Sequence, residues 1–375
     1  MRCARGGGRS TVPGMSTDTA VVVEELAIPA SMDAPDAAAF AEMVDVRNAI
    51  ESHLMGTDVL NYSARELLPV YQRQQHEPIR LFVARVAGRI VGRGILSWSS
   101  AEDATASWLE VEVLPEFRRR GVGTALYDHL AAIALDSGRP VLQADAIHTR
   151  PSTGERLEPP TGFGWLSADD PGVRFLQRRG YRLEQVARIS GLPLPVDPAL
   201  LDAKRAEAQA AAGDDYRVVS WVGTTPPEWV GDVATLKTRM STDAPSAGLD
   251  FPEEKWDAAR VADWDGQLGD SGRERLTVAA LHVPSGRLAG FNELYLAADR
   301  TRPVTQEDTL VLAEHRGRRL GMLLKVANLQ QLAEVSPSSP MVYTFNAEEN
   351  RHMLDVNEAV GFTAIGYEGA WKLTP

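Results

Sequence analysis

Residues Val111–Leu126 read VEVLPEFRRRGVGTAL, and this stretch decides the fold. An alternating apolar run ends at Pro115, a basic cluster follows, and a Gly-x-Gly opens an amphipathic helix. A strand that passes through a glycine turn into a helix N-terminus presents unpaired backbone N–H groups and the positive end of the helix dipole. Both favour a phosphate. Arg118, Arg119 and Arg120 add formal charge, while Gly121 and Gly123 let the phosphate approach the backbone closely. A dinucleotide fingerprint is excluded: Gly-x-Gly-x-x-Gly would need glycine where Leu126 stands, and no Gly-Lys-Ser/Thr follows for a nucleotide P-loop. Taken alone, the stretch could be a glycine-capped turn with solvated arginines.

The motif comes twice. Thr309–Leu324, TLVLAEHRGRRLGMLL, sets Leu312 to Arg316 against Leu114 to Arg118 and Gly321 against Gly123, 198 residues on. The pieces downstream recur in the same order. Helical Gly123–Ser137, strand Val141–Ala146 and the segment Val173–Tyr181 are answered by Gly321–Val335, Met341–Phe345 and Asn350–Phe362. The last offset, Gly180 to Gly361, is 181 residues because the first copy carries a longer insertion. A chance glycine turn would not bring this order with it, so the chain reads as a tandem protein.

The spacing Arg118-x-x-Gly121-x-Gly123 resembles the pyrophosphate loop of the GNAT superfamily, the acyl-CoA-dependent N-acetyltransferases. The resemblance covers about residues 20–374 and is to the tandem two-domain type, similar in architecture to mycothiol-synthase-like proteins. It implies an α/β fold with a mixed sheet in each of two acyl-CoA N-acyltransferase domains, and acetyl-CoA as co-substrate. The cofactor contacts it implies are Val111, Val113, Arg118, Arg119, Arg120, Gly121, Val122, Gly123 and Thr124 in the first half. In the second half they are Val311, Arg316, Gly317, Arg318, Arg319, Gly321 and Asn350. Arg319 departs from the pattern, standing where the first loop has Gly121. A side chain fits there if the backbone stays right-handed, and otherwise bears on affinity rather than fold.

Length and composition agree with two domains. The chain has 375 residues, 44% hydrophobic and 24% charged, enough for a sizeable core in each half. A net charge of −12 argues against nucleic acid or an anionic membrane as main partner. The single cysteine, Cys3, excludes an internal disulfide framework, and no apolar run reaches the length of a membrane span. The first residues, MRCARGGGRSTVPG, are basic and glycine-rich without an apolar core, which reads as a disordered leader over 1–19 with Met15 an alternative start. The expected protein is cytoplasmic, a monomer or homodimer, with domains over 20–194 and 215–375 and a connector over 195–214 whose alanine-rich part, Ala199–Ala212, is helical.

Within each half the pattern predicts β-α-α-β-β-β-α-β-α-β. In the first, Val21–Ile28, Asp36–His53, Ser63–Gln75, a hairpin about Ala87-Gly88 and Ser107–Leu114 lead into the loop, and Arg182–Leu192 closes the domain. In the second, strands are expected at Tyr216–Val222, Arg275–His282, Leu288–Leu296 and Val304–Val311, with helices at Trp229–Met240 and Glu253–Leu268. The Pro- and Gly-rich stretch 147–171, carrying Phe163 and Trp165, reads as a lid over an acceptor pocket or an exposed excursion.

Acyl transfer from a thioester to an amine needs a base for the amine proton, a donor for the oxyanion, and a proton for the leaving thiolate. Glu110 and Glu112, two apart, share one face of the strand before the loop and are the candidate bases. Their second-half counterparts are Asp308 and Leu310. Many GNAT enzymes protonate the thiolate from a tyrosine four residues before the Gly-Phe/Tyr pair. Here that position holds Leu176 and Asn357, so the tyrosine route does not carry over. His315 could serve as a base but reads more readily as a structural or phosphate contact, and the same holds for His148. No histidine pairing suits a metal, and no Gly-x-Ser-x-Gly or cysteine nucleophile is present, which favours direct transfer in a ternary complex. The reading is an acetyl-CoA-dependent N-acetyltransferase acting on a primary amine, on a small molecule. The alternatives are a protein or peptide N-acetyltransferase and a non-catalytic CoA-binding module.

Overall fold

The computed structural model describes residues 10–11, 20–101, 104–148 and 154–374. In chain order the elements of the first half are β1 (Ser10–Thr11), β2 (Val22–Glu25), α1 (Ala37–Met55), α2 (Ala64–Gln72), β3 (Ile79–Val86), β4 (Arg89–Ser97), β5 (Ala106–Val113), α3 (Val122–Asp136), β6 (Val141–His148), β7 (Arg156–Leu157), β8 (Leu166–Ser167), α4 (Pro171–Gln177) and β9 (Arg182–Pro193). Then follow α5 (Pro198–Ala212), β10 (Tyr216–Val222), α6 (Val230–Asp243), α7 (Ala258–Asp270), β11 (Glu274–His282), β12 (Arg287–Leu296), β13 (Val304–Val311), α8 (Leu320–Val335), β14 (Met341–Ala347), α9 (Arg351–Glu358) and β15 (Thr363–Leu373). The order read from the sequence recurs in both halves. Of the expected leader only Ser10–Thr11 lies among the described residues, pairing with Val22 and Val23. Among the described residues no helix is long and apolar enough to cross a membrane.

The chain divides into two compact units: Met1–Ala146 with Leu176–Arg182 and Trp371–Pro375, and Ile147–Phe175 with Leu183–Ala370. The first unit's strands lie in the order β1-β2-β3-β4-β5-β6. They are antiparallel up to β5, and β5 and β6 run parallel. The β3–β4 turn has positive φ at both Ala87 (+50°) and Gly88 (+82°), the twist that matches a right-handed hairpin. Helix α3 buries Val122, Leu126, Leu130 and Ala134, one stripe at helical spacing. It packs on β4, where a Cβ at Gly94 would touch Leu130 at 3.0 Å. Arg93, next along the strand, therefore points to the opposite face.

In the second unit the order is β15-β9-β14-β13-β12-β11-β10. Here β13 and β14 run parallel, and β9 pairs antiparallel with β14 from Ala187↔Ala347 to Pro193↔Met341. Helix α8 packs on β11, β12 and β13, and α5 packs along α8. The alanine-rich connector is helical as expected, capped where the Asp197 carboxylate accepts from the Ala199 N–H at 2.9 Å, and it buries Leu201, Ala208 and Ala212. Several boundaries move by two or three residues, among them the ends of β2, α2 and α6, and one moves by five: the helix expected from Glu253 begins at Ala258. Pro252 stands just before, and the Asp257 carboxylate accepts from the Arg260 N–H at 2.9 Å, so the start is fixed by its cap. In the excursion, the described part carries the short β7–β8 pair, with Arg156 4.6 Å over the Trp165 ring and Phe163 exposed. Its Gly164 lies against Glu348 and Val186.

Candidate functional site

In the first unit β5 ends at Val113, a single 3-10 turn (Pro115–Phe117) follows, and the Arg118 Nε donates back to the Val113 carbonyl at 3.0 Å. Arg118 thus buttresses the loop, whereas Arg119 and Arg120 are exposed. The backbone turns left-handed at Arg119 (φ +62°) and Gly121 (φ +85°), and Gly121 is the cap position of α3 with no side chain to satisfy the helix start. The first N–H to close on the helix is that of Ala125, to the Gly121 carbonyl at 2.9 Å. The N–H groups of Val122, Gly123 and Thr124 at the open end have no acceptor within the helix. Arg179 donates to the Thr124 hydroxyl at 3.0 Å, bringing another guanidinium to the first helical turn. These groups form an anion cradle with glycine at the closest backbone approach.

The second loop repeats this backbone with different side chains. Arg316 Nε donates to the Val311 carbonyl at 2.9 Å, and positive φ falls at Gly317 (+80°) and Arg319 (+56°). Each loop has two left-handed positions, but glycine fills the second in one copy and the first in the other. The condition under which a side chain fits easily at Arg319, a right-handed backbone, is not met; it caps α8 in the left-handed region, which costs a non-glycine residue about 1–2 kcal/mol. The cations of this loop also turn to the protein's own groups. Arg316 pairs with Asp243 at 2.5 Å, Arg319 pairs with Glu207, and Arg318 lies 5.5 Å from the centre of the Tyr216 ring. His315 is fixed beside them, its Nδ1 2.8 Å from the Tyr216 hydroxyl and its ring 4.7 Å from that of His282. Burial and the neighbouring His282 lower its pKa.

Beside each loop the parallel strand pair opens. The β5–β6 ladder runs from Ala106↔Val141 to Trp108↔Gln143, and the β13–β14 ladder consists of Val304↔Val342 and Thr305↔Tyr343. Among the described residues Leu109–Val113 and Gln306–Val311 have no ladder partner on that side beyond these pairs; the Val113 and Val311 carbonyls accept from Arg118 and Arg316, so Val111 and the N–H groups of Val113 and Val311 are what these edges offer an extended ligand.

The expected bases meet at this opening in the first unit. Arg93 on β4 stands directly opposite Glu112 on β5. The guanidinium is buried and holds Glu112 through two contacts, one at 3.1 Å, reaches Glu110 at 3.4 Å, and donates to the Tyr71 hydroxyl at 3.1 Å. Burial alone would raise Glu112, but the Arg93 charge and hydrogen bonds outweigh it and hold its carboxyl low. Glu51 of α1, buried against Glu112, is pushed up to about 8, first by burial and then by the Glu112 charge. Glu110 keeps 44% of its side-chain surface exposed. Crowding by protein and the Glu112 charge raise its pKa against the pull of Arg93.

Sequence reasoning missed Asp145. It lies two residues past the last β5–β6 pair, as Glu110 does on the neighbouring strand, so the two carboxyls face one another across the opening. Burial and the Glu110 charge push Asp145 up to about 7. The signal was present as an acid inside the apolar strand Val141–Ala146. In the second unit the same step past the ladder reaches Phe345 instead, opposite Glu307.

The remaining expectations fall on structural roles. Asn350 caps α9, its side-chain oxygen accepting from the Met353 N–H at 3.3 Å. Asp170 does the same for α4, accepting from Gly172 and Val173 at 2.8 and 3.2 Å, and pairs with the buried His148 at 2.9 Å. Burial would raise Asp170, but these contacts outweigh it. Leu176 is buried apolar surface. Asn357 is fully buried, its amide donating to the Asn346 oxygen at 2.7 Å. Neither is an acid.

With this geometry in view, the relatives are informative. The acetyltransferase (GNAT) family profile matches residues 48–151, the part of the first half that carries the loop and both carboxyls. Among solved structures, a tandem GNAT protein from the clavulanic acid biosynthesis pathway superposes with a TM-score of 0.71 at 24% identity, covering 94% of this chain and 98% of that one. A GCN5-related N-acetyltransferase from Sphaerobacter thermophilus gives 0.59 at 13% identity, over 94% and 95% of the two chains. N-myristoyltransferase of Saccharomyces cerevisiae gives 0.56 at 11% identity, over 98% and 82%. No curated protein matches the sequence. The chain thus contains a GNAT domain and has the fold of tandem GNAT proteins over nearly its whole length.

Proposed function

We propose that this tandem GNAT-fold protein is an acetyl-CoA-dependent N-acetyltransferase, that its first unit is the working half, and that the acceptor is a primary amine on a small molecule. One observation carries the assignment. Among the described residues, the first unit joins an open anion cradle to a strand opening flanked by two facing carboxyls, Glu110 and Asp145, whereas the second loop's cations pair with Asp243 and Glu207 and Phe345 stands in the place of Asp145. The cradle residues Arg119, Arg120, Gly121, Val122, Gly123 and Thr124 suit the pyrophosphate of acetyl-CoA, which supplies the activated acyl group when bound. The unpaired edge at Val111 and Val113 suits its amide-bearing arm.

The chain's residues then have distinct tasks. The carboxyls at the opening attract the protonated amine. Glu110, with Asp145 facing it, first takes a proton from the ammonium ion, directly or through water, and releases it to solvent; the neutral amine then attacks, and Glu110 takes the second proton as the C–N bond forms. A backbone N–H of the free β5 edge donates to the carbonyl oxygen as negative charge develops there. As the C–S bond breaks, the sulfur takes a proton from the carboxyl that received it or from water, giving amide and free thiol. Glu112, neutralised by Arg93, serves to position that guanidinium beside Glu110 rather than to exchange protons. In the second unit Arg316, Gly317, Arg318, Arg319, Gly321 and Asn350 form a weaker cofactor site, because its cations are engaged by Asp243 and Glu207 and Asn350 by its helix.

Calorimetric titration of acetyl-CoA into wild type, Gly123→Trp and Gly321→Trp tests the assignment. A bulky side chain in the first helical turn obstructs the phosphate approach in one unit at a time. Binding lost in Gly123→Trp and kept in Gly321→Trp is the expected result. The reverse pattern inverts the assignment, and no binding by wild type removes the acetyltransferase reading.

A further inference from the structure

In the second unit an ammonium group already sits on the face where the first unit is proposed to receive its amine. The Lys237 side chain of α6 is only 6% exposed, and its Nζ lies 2.8 Å from Glu293 on β12 and 2.6 Å from Asp308 on β13. Aromatic rings surround the rest of the head group: Trp264 at 3.9 Å, Phe291 at 5.2 Å and Trp256 at 5.8 Å from their centroids. Trp264 is fixed in turn, with the Arg275 guanidinium 3.7 Å from its ring centre and Trp256 edge-on at 5.8 Å. A buried ion pair needs only its counter-charge. Carboxylates on one side and ring faces on the other make the surroundings of a desolvated ammonium ion in a receptor site.

The strand register ties this cage to the transfer site. Asn292 pairs with Thr309 and Leu294 with Gln306, so Glu293 alone faces Glu307 and Asp308 in a β-bulge. That bulge stands two residues past the β13–β14 ladder, the position of Glu110 in the first unit. The residue two past the ladder is Glu307, and the bulge brings the next one, Asp308, together with Glu293 onto Lys237.

We propose that the acceptor-amine site of the second unit is filled in cis by Lys237, and that it is a receptor for a primary alkylammonium ion once that side chain is cut back. The inference rests on the reading of the acceptor face given above, but its test measures binding of an amine and not transfer. Substrate amines are consequently directed to the first unit, and the second holds a permanently bound internal analogue.

Lys237→Ala removes a propylammonium fragment from the cage. Thermal melts of wild type, Lys237→Ala and Lys237→Met, at matched ionic strength, are followed with n-propylammonium chloride and with 1-propanol. The expected result is a lowered Tm in Lys237→Ala that propylammonium restores saturably by a few degrees, while 1-propanol does not, and no such rise in wild type or in Lys237→Met, whose side chain fills the space. Equal shifts with amine and alcohol, or equal shifts in all three proteins, overturn the proposal. Should Lys237→Ala not fold, Lys237→Ala with Glu293→Gln, which leaves one unpaired carboxylate fewer, is the host. Failure of both to fold even with propylammonium present counts against the cage. An unaltered acetyl-transfer rate with failed propylammonium binding would leave the first-unit reading standing and remove only this one.

Discussion

At the scale of single residues, what separates Glu110 from Glu112 is one guanidinium. Arg93 directly faces Glu112, and its bidentate contact with that side chain leaves Glu110 with a single contact at 3.4 Å and a half-exposed side chain. The pH dependence follows from the direction of the shifts. A carboxyl raised to about 7, as Asp145 is, stays protonated below that pH and accepts no proton; it ionises above it. The acetylation kcat/KM is thus expected to rise with pH through an apparent pKa near 7, with the rising limb displaced downward in Asp145→Asn, read from thiol release with an amine panel. Glu110→Gln is expected to lower kcat about 10²–10⁴-fold with acetyl-CoA affinity unchanged, since it removes a proton acceptor and no phosphate contact. The pairing of Glu110 with Glu112 was legible from their spacing. Arg93 and Asp145 were not, because their importance comes from facing those residues across strands.

At the scale of elements, the two helices after the opening are held by side-chain caps. Asn350→Ala is expected to cost about 1 kcal/mol, the usual worth of an N-cap, and Asn350→Asp to keep most of it. Asp170→Ala is expected to cost more, about 2–3 kcal/mol, because it removes the cap and also the carboxylate paired with the buried His148. Urea midpoints of the three variants check the order. Helices and strands were readable in advance because apolar periodicity and caps are local: α3, β10 and β13 fall within a residue of expectation. The start of α7 was not, since the deciding signal was the Asp257 cap rather than the earlier apolar residues. The left-handed turn at Arg319 was not either, because the second loop shifts its glycine by two positions while keeping the same backbone.

At the scale of the whole molecule, the sequence boundary near residue 194 and the hydrogen bonding follow different logics. Strand β9 ends at that boundary yet pairs from Ala187 to Pro193 with β14, from the other copy of the repeat. Fragments 20–194 and 195–375, expressed separately, are expected to be insoluble or unfolded, each exposing an unpaired strand edge; expressed together they should co-purify as a one-to-one complex. Two independently stable fragments by size-exclusion and circular dichroism would contradict this. The sequence by itself determined the duplication, the order of elements, the two strand–turn–helix loops and the two carboxylates of β5, because each rests on spacing along the chain. Only the tertiary structure decided the rest: that Arg93 neutralises Glu112, that Asp145 faces Glu110, that Lys237 occupies the cage of the second unit, and that β9 pairs with β14. Each of these is a contact between residues remote in sequence, set by strand register and by which face of a helix meets the sheet, and no local pattern encodes such a partner.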